Sequence, residues 1–208
     1  MPQPWLARMT DFIYLASQSP RRRQLLEQLD VRCELLLASP DEDSEALEVV
    51  SPGESPTAYV QRVTQLKLDD AVARMKLRGL PAAPVLCADT TVTLARRIYG
   101  KPNDQSDAEY MLGKLAGTTH RVLTAVAVQH GRRRLQALSV SRVTFDPMSK
   151  RQIRAYVETG EPMGKAGAYA VQGKAAIYIA RISGSYTGIM GLPLRETAAL
   201  LRLVGLNT

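Results

Sequence analysis

The chain is poor in the residues that build redox, metal and membrane sites. Its two cysteines, Cys33 and Cys87, lie far apart, with no CxxC and no metal-ligand spacing. A zinc site or redox dithiol is excluded, and two small buried thiols in a reducing compartment are expected. The two histidines stand alone; His120, beside Thr119, reads as structural and His130 as a turn residue. Aromatic residues make up 5%, too few for the interleaving with basic residues that marks a nucleic-acid surface. Neither GxxxxGK[ST] nor GxGxxG occurs, which excludes a P-loop and a dinucleotide fingerprint. No apolar run approaches the ~20 residues of a membrane span, and "MPQPWLARMT" lacks the apolar stretch of a signal peptide. The expectation is a cytoplasmic protein with no membrane partner, residues 1–10 forming a loose extension and 11–208 a single domain.

What is there suits a folded α/β protein with an anionic ligand. With 208 residues, 45% of them apolar, the chain can bury a substantial core. A surplus of 27 basic over 20 acidic residues, net +7, favours anionic partners without choosing among them. "FIYLA" (12–16) reads as a strand, and Ser19–Pro20 as the cap and first residue of a helix whose buried face is Leu25, Leu26 and Leu29. "VRCELLLA" (31–38) reads as a second strand, and 39–54 as a long acidic loop. Ser55–Pro56 opens a helix to Leu77 with Tyr59, Val63 and Leu66 as its stripe and Lys67 off it. Residues 83–95 form an apolar strand interrupted by Asp89, and 99–104 a turn. Ser106 and Glu109 predict a capping box for a helix to Leu115, and Ser149 with Gln152 a second one. A long hairpin turns at His130–Gly131, and a stretch with four glycines (159–176) precedes a strand, "AIYIARI", and a closing helix with Pro193 in its first turn. Helices and strands alternate around a hairpin, which predicts an α/β fold with a mixed sheet.

Four groups of residues could carry chemistry. Arg21, Arg22 and Arg23 crowd the start of a helix, where the macrodipole already favours an anion; with Ser17 and Ser19 they suit a polyphosphate held by backbone N–H groups and guanidinium forks. Asp89 in its apolar strand needs a partner or a metal, and Asp41, Glu42 and Asp43 offer further carboxylates for a hard divalent cation. Lys67 and Lys101 gain meaning only if they share that pocket. In the glycine-rich stretch, Gly167 and Gly173 allow close backbone approach, and Gln172 offers a planar donor–acceptor pair for a nucleobase edge.

Taken together, "LASQSPRR", "ADTTV", "GKPND", "LAGTTHRVLTAVAV", "YVETGEPMGKAGAYAVQG" and "GSYTGIMGLPLRET", in this order along almost the whole chain, resemble the Maf family of nucleotide pyrophosphatases. The resemblance implies an α/β fold like that of the inosine triphosphate pyrophosphatases, with two lobes around a cleft, and a homodimer. It implies a hydrolase of acid anhydrides that cleaves nucleoside triphosphates to monophosphate and pyrophosphate with Mg²⁺ or Mn²⁺. By the same resemblance Asp89, Lys101, Lys67 and Glu42 are catalytic, with Asp89 as proton acceptor and Asp89 and Glu42 on the metal. Ser17, Arg21, Arg22, Thr90 and Gln172 bind substrate; Arg21, Thr90 and Gln172 are tied to base choice. The glycine-rich segment is similar to the subgroup acting on dTTP and UTP. Gly164 stands where the family pattern has Asp, which implies a looser loop or a weaker contact with Lys165; restoring that Asp is expected to raise activity or leave it unchanged. The competing readings are a nucleic-acid binder, suggested by +7 and the clusters at 21–23 and 132–134, and a cell-division interaction protein with weak or broad nucleotidase activity.

Overall fold

Among the described residues seven strands form one mixed sheet, in the order Arg32–Leu35, Phe12–Leu15, Val85–Leu94, Thr119–His130, Arg133–Phe145, Ile179–Ser183, with Arg97–Tyr99 paired to Val85–Leu94. The computed structural model describes residues 12–39, 42 and 46–208; the extension assigned to 1–10, and Asp41 and Asp43, lie outside the described residues. In chain order the elements are β1 (Phe12–Leu15), α1 (Pro20–Glu27), β2 (Arg32–Leu35), α2 (Pro56–Leu77), β3 (Val85–Leu94), β4 (Arg97–Tyr99) and α3 (Gln105–Leu115). There follow β5 (Thr119–His130), β6 (Arg133–Phe145), α4 (Lys150–Val157), β7 (Ile179–Ser183), α5 (Tyr186–Met190) and α6 (Leu194–Leu203). Strands β1 and β2 are parallel, as are β1 and β3. The β3–β5, β5–β6 and β6–β7 pairs are antiparallel, with β5 and β6 forming the expected hairpin.

The period of two along β3 sends successive side chains to opposite faces. Val85 and Cys87 pack with Leu68, Ala71 and Val72 of α2. Leu86 and Ala88 meet Leu25 and Leu26 of α1 and Leu200 and Leu201 of α6. Farther along, Val92 joins Leu112, Leu115, Ile153 and Tyr156 from α3 and α4. The middle of β3 thus runs between two apolar clusters, and the cleft opens there. Among the described residues no helix is long and apolar enough to cross a membrane.

Local signals explain most boundaries. Ser55 accepts from Ala58 N–H, and Ser149 with Gln152 forms the full capping box. Two expectations are corrected. The cap of α3 is Asp104, whose carboxylate accepts from Asp107 N–H at 2.8 Å, so the helix begins before the Ser106–Glu109 pair; an Asp cap is as favourable as a Ser cap. Lys67 is not off the buried stripe of α2. It lies four residues after buried Val63 and reaches β3.

Candidate active site

Strand β5 pairs with β3 from Val85 to Thr93, so β1 and β4 must share the other edge. Strand β1 occupies it at Val85–Leu86 and β4 from Val92 to Leu94. Between them that edge of β3 has no strand neighbour, because the partner changes there from parallel to antiparallel. The gap is the floor of a cleft of about 870 Å³, at the kind of switch point where open α/β sheets leave a crevice.

Asp89 stands on this floor, on the α2 side of the sheet. Its Oδ1 accepts from Lys67 Nζ at 2.6 Å, and the same ammonium donates to Glu48 Oε1 at 2.7 Å. Lys101 Nζ is 3.6 Å from that Glu48 oxygen. Burial works to lower the Lys67 ammonium, but Asp89 and Glu48 outweigh it and hold it above its ordinary value. Burial works to raise the Glu48 carboxyl, and Lys67, then Lys101, bring it below the ordinary range. Lys67 and Glu48 are therefore both charged at neutral pH.

The three arginines at the start of α1 take three different positions. Arg22 turns back into the loop, donating Nε to Gly191 O at 2.8 Å and Nη1 to Ser17 Oγ at 3.1 Å. Burial lowers the Arg22 guanidinium from its usual value, and Asp89 partly restores it. Arg21 lines the cleft, whereas Arg23 points away and meets Glu27 at 3.4 Å on the surface. The Ser19 side chain makes no cap bond and the first turn holds no acid, so the positive end of the helix faces the cleft with cations beside it.

The other residues singled out from sequence come to the same place. Glu42 lines the cleft with its carboxylate clamped by Arg74, whose Nε donates to Oε2 at 2.8 Å. Arg74, with the Ser39 N–H, pulls the Glu42 carboxyl down to about 2. Thr90 Oγ1 is 3.0 Å from Thr124 Oγ1, and Thr124 donates to Gly188 O at 2.7 Å. Gln172 is exposed and lines the same cleft. Ser17, Arg21, Arg22, Glu42, Lys67, Asp89, Thr90, Lys101 and Gln172 all line this cleft.

Sequence reasoning missed Glu48, which bridges Lys67 and Lys101 from the long loop, and Lys165, which lines the same wall. Burial, then Arg21 across the cleft, lowers the Lys165 ammonium. The position of Lys165 beside Gly164 was the available signal; for Glu48 there was none beyond loop acidity. Gly164 adopts φ +70°, in the left-handed region, and Lys165 Nζ donates to Glu161 O at 2.6 Å.

A mixed α/β sheet whose switch-point cleft is walled by arginines and lysines around a paired carboxylate defines an anion-receiving α/β protein. In fold it is similar to the Ham1 protein of Staphylococcus aureus, with a TM-score of 0.50 and 15% identity over 92% of this chain and 98% of that one. The family model described as Maf-like protein matches residues 12–204, and the chain belongs to that family. It is 67% identical over 197 residues to a dTTP/UTP pyrophosphatase of Polaromonas sp. strain JS666, covering 95% of this chain and 98% of the relative. A dTTP/UTP pyrophosphatase of Albidiferax ferrireducens is 66% identical over the same share of each chain.

Proposed function

We propose that the protein hydrolyses nucleoside triphosphates, dTTP and UTP foremost, to the monophosphate and pyrophosphate. The observation that carries this reading is the Lys67–Asp89 pair at 2.6 Å in a cleft that Arg21, Arg22, Lys101 and Lys165 also line. The names of the relatives and the membership of the family support the substrate.

The chain's own residues supply most of the chemistry. Arg21, Arg22, Lys67 and Lys101 neutralise the triphosphate, and their separate elements let the grip extend along all three phosphates. Catalysis is then positioning and charge stabilisation of an in-line displacement. Water attacks the α-phosphorus, Asp89 takes its proton, the bond from the α-phosphorus to the bridging oxygen breaks and pyrophosphate leaves, while Lys67 keeps the Asp89 carboxylate oriented. Gln172 meets the O4 acceptor and N3–H donor of uracil or thymine.

A divalent cation fits the donor set. Carboxylates lining the cleft are the oxygen donors that a hard divalent ion takes together with substrate phosphate oxygens and water. Asp89 and Glu42 would hold it, Glu42 being kept ionised by Arg74. Mg²⁺ or Mn²⁺ bound there would supply further neutralisation of the phosphates. A homodimer in the cytoplasm completes the reading.

Chromatography of the products from UTP tests it. Monophosphate plus pyrophosphate is expected; diphosphate plus orthophosphate contradicts it. Absence of turnover contradicts it as well, and favours the binding-only readings, whether of nucleic acid or of a cell-division partner.

A further inference from the structure

One carboxylate closes both ends of the glycine-rich segment that walls the cleft. Glu161 lies just beyond α4. Its Oε1 accepts from Tyr156 Oη at 2.8 Å, and its Oε2 accepts from Lys174 N–H at 3.0 Å. Residues 162–173 therefore leave and return to the same side chain. Tyr156 Oη also accepts from Ala170 N–H at 3.4 Å, a further tie to the returning strand of the loop.

Gly173 shows how tightly the return is seated. Its φ is −104°, a conformation open to any residue, so backbone freedom does not explain the glycine. Space does: a Cβ there would lie 2.3 and 2.4 Å from the two Glu161 carboxylate oxygens. The Glu161 carboxylate occupies the volume a side chain at 173 would need, and Gln172 is the residue immediately before. Burial works to raise the Glu161 carboxyl, but Lys174 N–H and Tyr156 bring it below the ordinary range, so the clamp is anionic.

We infer that Glu161 is a positioning residue: its carboxylate fixes where Gln172 stands on the cleft wall, and so sets recognition of the nucleoside end of the substrate. This rests on the nucleoside triphosphate reading above. Lys165 is held by the Glu161 backbone carbonyl, which a side-chain substitution leaves in place. Lys67, Asp89 and Lys101 are carried by α2, β3 and the turn after β4, respectively. The clamp thus acts on the Gln172 end of the site and not on the phosphate end.

The test compares UTP hydrolysis with inhibition by inorganic tripolyphosphate, which has the phosphates and no nucleoside, in the full-length wild type, Glu161→Ala, Glu161→Gln and Tyr156→Phe. Losing two hydrogen bonds to a charged group is expected to raise the KM for UTP about tenfold in Glu161→Ala. The Ki of tripolyphosphate stays within about twofold of wild type, and kcat changes less than KM. Glu161→Gln recovers most of the KM, because its amide oxygen accepts from Lys174 N–H. Tyr156→Phe removes the Oη contacts to Glu161 and to Ala170 N–H but leaves the Glu161–Lys174 N–H bond, and shifts KM in the same direction by less, which keeps the test decisive if Glu161→Ala does not fold. An unchanged KM in a folded Glu161→Ala, or a Ki that rises in step with KM, overturns the inference while wild-type turnover upholds the function. A wild type that does not hydrolyse UTP overturns both.

Discussion

Thr90 and Thr124 lie opposite each other on β3 and β5 with their hydroxyl oxygens 3.0 Å apart, and the hydrogen between them belongs to Thr90. Thr124 has one hydroxyl hydrogen and gives it to Gly188 O at 2.7 Å, so only Thr90 can donate across the pair. Thr90 is left facing the cleft as an acceptor. Thr124→Val keeps the shape and removes both bonds, leaving the buried Gly188 carbonyl without this donor. A loss of about 1–3 kcal/mol in denaturant unfolding is expected; Thr124→Ser should recover most of it. A Thr124→Val protein as stable as wild type would contradict the relay.

Glu48 Oε1 is bound by Lys67 at 2.7 Å and lies 3.6 Å from Lys101 Nζ. In the proposed reading a triphosphate gripped by these two lysines competes with that carboxylate. Glu48→Gln keeps the shape and removes the competing charge, so KM for UTP should fall. A partly exposed pair is worth up to about 1 kcal/mol, which corresponds to about fivefold. A rise in KM on steady-state kinetics would show that Glu48 helps to hold the substrate instead.

Gly164 has φ +70° with nothing within 4 Å of an added Cβ. The obstacle to a side chain is therefore backbone strain and not space. Restoring the Asp of the family pattern is thus expected to lower stability, whatever it does to activity. Gly164→Ala should cost about 1 kcal/mol, and Gly164→Asp less, since Asp tolerates the left-handed region better. Urea midpoints decide; an Ala variant more stable than wild type would contradict the assigned conformation.

His120 is 1% exposed, and burial pushes its imidazole down to about 4 from 6.5. Its Nε2 meets Tyr169 Oη at 2.8 Å. Because the unfolded chain takes up the proton first, the stabilisation is complete above pH 6.5 and is lost as pH falls from 6.5 towards 4. The loss amounts to as much as about 3 kcal/mol. Stability measured by urea unfolding across that window should fall in the wild type and fall less in His120→Gln. Equal slopes would contradict a buried neutral imidazole. The Glu42–Arg74 clamp is lost lower, as pH falls from 4.5 towards 2.

What could be read from sequence follows how local each signal is. The caps at Ser55 and Ser149 and the hairpin turn at Gly131 depend on a few neighbouring residues, and they are where the pattern puts them. Asp104 was missed because two polar residues competed for one cap. The five-residue α5 was hidden by Gly188 inside it and Gly191 after it, although Ser185 caps it. Asp89 stood out as an acid in an apolar strand, but its partner Lys67 is 22 residues away in sequence. The inward position of Lys67 was legible only in its four-residue spacing from Val63. Glu48 and Lys165 sit in irregular segments whose paths depend on the folded cleft, so no period announced them.

Asp89→Asn is the most direct test of the account, since it preserves shape while removing the charge paired with Lys67, the proton acceptor and the proposed metal ligand. The measurement is pyrophosphate release from UTP by the folded variant, across Mg²⁺ and Mn²⁺ titrations to saturation. The account predicts a loss of at least about 10²- to 10⁴-fold, the range for general-base action alone. A folded Asp89→Asn enzyme that keeps more than about a tenth of wild-type turnover at saturating metal would contradict it, because that loss is smaller than the least expected of a missing general base.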